Sequence, residues 1–129
     1  GLAPLVAELP EGLETQLGGG ARTLSGGQAQ RIALARAFLD HSRKVLVFDE
    51  PTAHLDIETE LEIKEGMLPL MENRLVFFAT HRLHWMHQMD YIIVLKEGEI
   101  IETGTFDELV ARNGHFYDLT KQMRRDSDV

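Results

Sequence analysis

Two short apolar runs constrain this chain more than any other feature. The run VLVF, Val45–Phe48, has no polar residue and no alternation, and RLVFFATH, Arg74–His81, repeats the pattern. Strands buried on both faces of a parallel sheet read this way. Each run ends in polar groups, Asp49 and Glu50 before Pro51 in the first case and Thr80 and His81 in the second. In open α/β sheets, ligands bind at the carboxyl ends of the strands. Between the runs, Ile57 to Met71 has helical character, with Leu61 and Leu68 as expected core contacts and Pro69 as a distortion near the end. The alternation of strand and helix predicts an α/β layer fold.

The flanking segments fit that plan. Leu2 to Leu9 is expected to form a short helix stopped at Pro10, and the Gly-rich stretch EGLETQLGGGARTL to form a loop. Ser25 offers an N-cap hydroxyl to a helix running from Gln28 to about Asp40, with Ile32, Leu34, Ala35, Phe38 and Leu39 on its apolar face. Beyond His81, YIIVLKEGEIIETG predicts a hairpin turning near Glu97 and Gly98. FDELVARNG predicts a helix stopped by Asn113 and Gly114, and HFYDLTKQMRR a last helix.

Composition removes several function classes. A formal net charge of -8 argues against broad electrostatic binding to nucleic acid or to an anionic membrane surface. The absence of cysteine excludes a disulfide scaffold and a thiolate metal site. No stretch approaches the roughly 20 apolar residues of a membrane span. The chain starts at Gly1 without a Met or a basic n-region, and reads as a piece of something longer.

Three elements carry candidate chemistry. In LSGGQ, Leu24–Gln28, a serine and two glycines stand at a helix start, where free N–H groups and the positive end of the macrodipole favour a phosphate. The same residues would equally serve a capped loop-to-helix junction. Asp49 at a strand end suits Mg²⁺ held through water, and Glu50 beside it suits a base that polarises a water. A pair of solvated acids is the plainer alternative. His81 suits a donor to a phosphate oxygen, and a structural histidine is the plainer alternative there. His84 and His87 are one helical turn apart but lack a third ligand, and Trp85 and Phe116 read as packing residues.

Taken in order, LSGGQ, VLVFDEPTAHLD and VFFATHR resemble the ATP-binding-cassette (ABC) ATPase family over essentially the whole chain. The resemblance implies the C-terminal part of a P-loop NTPase (RecA-like) ABC ATPase domain, a layered sheet flanked by helices with the P-loop half absent. It divides the chain into the end of a helical subdomain, residues 1–43, and a portion from 44 to 129 with the Walker B strand and C-terminal region. Leu24, Ser25, Gly26, Gly27 and Gln28 match the signature that closes over ATP held by a facing domain. Asp49 matches the Mg²⁺ position, Glu50 the catalytic base, Asp56 the D-loop aspartate and His81 the switch histidine.

The tail YIIVLKEGEIIETGTFDELVARNGHFYDL is similar to exporter subunits in which a transmembrane domain precedes the ATPase domain on one chain. FDEPTAHLDIETE and ATHRLHWM resemble the thiol exporter subunits of cytochrome bd assembly. The family pattern also includes a P-loop, G-x-x-x-x-G-K-[ST], and this chain has no match to it; none of Lys44, Lys64, Lys96 and Lys121 follows a Gly-rich loop.

The resemblance thus implies ATP and Mg²⁺ as ligands and a second ABC ATPase domain as head-to-tail partner in a homo- or heterodimer. It places the parent protein at the cytoplasmic face of the membrane, with the piece itself soluble, inactive alone and prone to self-association through its uncovered strands. A soluble ABC-type ATPase of DNA repair or translation, or a folded piece acting only by association, are the competing expectations.

Overall fold

The structure is a computed structural model that describes residues 2–17 and 24–127. Part of the expected Gly-rich loop, residues 18–23, lies outside the described residues. The chain divides into two compact units, Gly1–Ala79 and Thr80–Val129. The helix bearing LSGGQ and the strand bearing Asp49 fall in the same unit.

The first unit begins with α1, Ala3–Glu8, which has Pro4 in its first turn and stops before Pro10. A 3₁₀ turn at Gly12–Glu14 follows. Helix α2 spans Gly26–Leu39, and Ser25 caps it in a closed capping box. The Ser25 hydroxyl accepts from the Gln28 amide at 3.2 Å, and the Gln28 side-chain oxygen accepts from the Ser25 amide at 3.1 Å. Leu34 and Phe38 are its buried residues, whereas Leu39 is exposed.

Strand β1, Val45–Asp49, and strand β2, Leu75–Ala79, pair in parallel from Val45↔Leu75 to Asp49↔Ala79. Parallel neighbours need a crossover connection, and α3, Ile57–Met71, supplies it. The two-faced burial expected for these strands is not what the structure shows. On β1 only Leu46 and Phe48 are buried, while Val45 is 55% and Val47 73% exposed. Leu75 and Phe77 on β2 are also exposed. The buried face is covered by α2: the Phe38 ring lies 5.3 Å from that of Phe48, and Phe48 lies 5.9 Å from Phe78. The opposite face is apolar in sequence yet open, as a sheet covered by only one of its two layers must be.

Helix α3 turns differently from its expected register. Its buried residues are Glu60 and Met67, and Leu61 is 43% exposed. The cause is a buried polar pair. The hydroxyl of Thr52, itself 2% exposed, donates to the Glu60 carboxylate at 2.6 Å. Burying a carboxylate is costly unless its oxygens find donors, so this bond rotates α3 to bring position 60 inward and carries Leu61 out. One turn later, partial burial holds the Lys64 pKa below its ordinary value, and the charges of Glu60 and Glu65 offset that only in part.

The second unit contains α4, Leu83–Met86, a hairpin of β3, Ile92–Lys96, and β4, Glu99–Gly104, then α5, Phe106–Ala111, and α6, His115–Ser127. The hairpin turns where expected. Glu97 and Gly98 both have positive φ, 51° and 81°, as a tight turn that follows the strand twist requires. Ile92, Val94, Leu109 and Phe116 form the core, with Phe106 edge-on to Phe116 at 5.6 Å. Asn113, at φ 52°, ends α5 as the sequence predicts. The Glu102 carboxylate then accepts from the Phe116 amide at 2.7 Å and caps α6. Gly114 makes that approach possible, because a Cβ there would collide with Glu102. Trp85 is fully buried and Phe116 nearly so, in keeping with packing roles.

If the Thr52–Glu60 bond sets the register of α3, Thr52→Val removes a donor from a buried carboxylate and destabilises the first unit by about 1–3 kcal/mol. Amide exchange in α3 is expected to accelerate accordingly, while α6 in the second unit stays at its parental rate. Parental exchange in α3 would show that the bond does not hold the helix.

Candidate functional site

The candidate residues of the first unit gather where β1 ends. Asp49 is the last residue of the strand and is exposed. At Glu50 the chain leaves the sheet with φ at 45°, a left-handed value that costs a non-glycine residue about 1–3 kcal/mol. Its backbone is held there by hydrogen bonds to Ala79, Ala53 and Gln30. The Glu50 amide donates to the Ala79 carbonyl at 2.8 Å and so extends the β1–β2 ladder by one bond. The Glu50 carbonyl accepts from the Ala53 amide at 3.2 Å and from the Gln30 side-chain nitrogen at 3.1 Å. Pro51 and Thr52 are buried behind it. The chain then turns again, with the Leu55 amide donating to the Thr52 carbonyl at 3.2 Å.

Helix α2 is fastened to this turn at two points. Gln30 provides the hydrogen bond just described. Gly27 provides a close approach: a Cβ at Gly27 would lie 2.9 Å from Cδ2 of Leu55, which is almost buried. The two glycines of LSGGQ therefore do different things. Gly27 lets the turn come close, and Gly26 leaves open space at the helix start, where an added Cβ would meet nothing within 4 Å. Ser25 and Gln28 close the capping box. The Ser25 oxygen acts there as an acceptor, and its O–H hydrogen remains able to donate to a ligand.

Asp56 caps α3. Its carboxylate accepts from the Thr59 hydroxyl at 2.6 Å and from the Thr59 amide at 3.1 Å. These bonds hold its pKa below the ordinary 3.8, the hydroxyl contributing most, the amide next, and the Arg31 charge last. His81 belongs to the second unit. It is exposed, lies two residues past β2, and is followed by a bend in which the Arg82 amide donates to the Thr80 hydroxyl at 3.0 Å.

The donor set at the end of β1 fits Mg²⁺. It offers the exposed carboxylate of Asp49. Mg²⁺ favours such a site, because it keeps several waters and binds through one or two carboxylates together with phosphate oxygens.

The structure brings Leu24–Gln28, Asp49, Glu50 and Asp56 into the first unit, around elements that the sequence reading did not single out: Gln30, Leu55, Thr52 and Glu60. The S-x-x-Q pattern of Ser25 and Gln28 is a legible capping-box signal. Nothing in the sequence distinguishes Gln30 from a solvated helix glutamine.

The ABC transporter family model matches residues 6–53, from α1 through the turn after β1. The chain is 63% identical over 121 residues to the glutathione/L-cysteine transport system ATP-binding/permease protein CydC of Bacillus subtilis, covering 94% of this chain and 21% of that protein. An ATP-dependent lipid A-core flippase of Pseudomonas fluorescens is 43% identical, over 86% of this chain and 18% of the flippase. Among solved structures, a bacterial Atm1-family ABC exporter with ATP bound superimposes with a TM-score of 0.80 at 34% identity, covering 94% of this chain and 21% of that one. The chain belongs to the ABC transporter family. It spans about a fifth of the length of these relatives, and corresponds to part of an ABC transporter domain. No helix among the described residues is long and apolar enough to cross a membrane.

The capping geometry of Asp56 makes a direct prediction. Because its folded-state pKa is depressed, the stability it contributes is present above the ordinary carboxylate value and is lost as pH falls through the depressed one. A carbon-detected NMR titration should place the Asp56 midpoint below 3.8 and move it upward in Thr59→Ala. A midpoint that ignores Thr59 would contradict the cap.

Proposed function

We propose that this chain is the signature-to-C-terminal portion of the ATP-hydrolysing domain of an ABC exporter subunit. The observation that carries the reading is the turn after β1. It presents Asp49 and Glu50 at a strand end, under backbone constraint, and is fastened to a helix whose capped start is open at Gly26. Identity of 63% to a glutathione/L-cysteine transport protein supports small thiols as the class of cargo.

In this reading the P-loop that cradles ATP lies in a part of the whole protein outside these 129 residues. Two ABC domains face each other head to tail, as a homo- or heterodimer. The start of α2, residues Leu24–Gln28, closes over the γ-phosphate of ATP held by the facing domain. Ser25 donates its hydroxyl, and the α2 amides supply positive potential. The transmembrane domain of the same polypeptide carries the cargo path, which puts this portion at the cytoplasmic face of the membrane.

Chemistry takes place at the chain's own β1 edge. Glu50 accepts a proton from the water that attacks the γ-phosphorus. A new O–P bond forms, the bond to the ADP oxygen breaks, and inorganic phosphate leaves. Asp49 would hold Mg²⁺ through water, and the ion neutralises charge on the phosphate oxygens when bound. His81 donates to the γ-phosphate, and Asp56 at the start of α3 faces the partner domain. The rate enhancement comes mainly from position and preorganised charge.

The test is Glu50→Gln in the full-length protein. ATP binding should persist while turnover, followed as phosphate release, falls by about 10²-fold or more. Parental turnover would remove Glu50 from the role of base.

A further inference from the structure

We infer that Gln30 is a positioning residue for Glu50, and that it carries the state of the α2 start to the chain's own hydrolytic edge. The inference rests on the ATP-hydrolysis reading of Glu50. It begins from a conformational problem. Glu50 sits at φ 45°, where a residue with a Cβ is strained, so whatever holds its two flanking peptides sets the direction in which its Cα–Cβ bond leaves the turn. The peptide before Glu50 is held by β2 through the Ala79 carbonyl. The peptide after it is held by the Ala53 amide, within the same turn, and by the Gln30 side chain, from outside it. Of these three bonds, only that of Gln30 comes from an element other than the sheet and its turn.

Gln30 stands one turn and a half into a helix whose other features resist slippage. The capping box fixes its first turn, Gly27 meets Leu55 of the same loop, and Phe38 seats its far end on Phe48 of β1. A displacement of the helix start therefore reaches the Glu50 carbonyl through one short side chain. In the proposed dimer, α2 contacts nucleotide held by the facing domain, whereas the Gln30 bond acts on the Glu50 of its own chain. One copy's engagement at its signature thereby adjusts the base in its other composite site. The Gln30 side-chain oxygen is buried and makes no hydrogen bond among the described residues, so this side chain is committed through its nitrogen to Glu50.

The test uses the full-length protein with Gln30→Leu, which removes the donor at similar size, and Gln30→Glu, which replaces it by an acceptor. Loss of one hydrogen bond that orients the base should lower kcat about five- to tenfold in both, with the Kd for ATP parental. Parental binding in either variant also shows that the domain has folded. In a Glu50→Gln background the same substitutions should cause no further loss, because the group they position is gone. Parental kcat in both variants, a change confined to ATP affinity, or full additivity with Glu50→Gln would each overturn the inference. Glu50→Gln alone separates the two claims. If it abolishes turnover while the Gln30 variants are parental, only the positioning role fails. If it turns over like the parent, the hydrolysis reading itself fails.

Discussion

A left-handed glutamate at the end of a parallel strand is the constraint around which the first unit is arranged. The strand must stop at Asp49 for its carboxylate to reach beyond the sheet. The next residue must turn without losing its ladder partner. Glu50 does both by keeping its amide on Ala79 while its carbonyl swings towards Ala53 and Gln30. Pro51, buried Thr52 and nearly buried Leu55 then return the chain to α3, and Asp56 caps that helix through Thr59. Strain at one residue is thus offset by hydrogen bonds and burial distributed over a loop of a few residues.

Helix α2 joins the LSGGQ segment to the turn after β1 and to the sheet. Its start carries the serine and glycines that suit a phosphate, its middle holds the turn, and its end covers one face of the sheet through Phe38. A rigid connection of this kind can carry a contact at the helix start to the turn after β1. The opposite face of β1 and β2 is exposed, with Val47 and Phe77 in the open.

Most of the architecture was legible from the sequence, because the strongest signals are local. The apolar runs, Ser25 before a helix-forming stretch, the Glu97–Gly98 turn and the Asn113–Gly114 stop each depend on a few neighbouring residues, and each appears in the structure. Two features were not legible. Leu61 was expected inside because apolar side chains usually are, but the Thr52 hydroxyl draws Glu60 in and displaces it. The second is burial of the β1 and β2 faces, which depends on what lies across the sheet and not on the strands themselves. At the site, the residue types were readable but their division of labour was not. That Gly27 serves Leu55 and Gly26 serves open space, or that Gln30 reaches Glu50, twenty residues on, follows only from the fold.

The central claim, that the start of α2 lies against the terminal phosphate of ATP held by a facing domain, is open to one direct measurement. Orthovanadate trapped with Mg²⁺ and ADP occupies the γ-phosphate position and cuts the adjacent backbone under ultraviolet light. Mass spectrometry of the irradiated full-length protein should find cleavage within Leu24–Gln28, and in mixed dimers the cut chain should be the one opposite the P-loop that retains nucleotide. A protein that traps nucleotide stably yet is never cut in that segment would contradict the account.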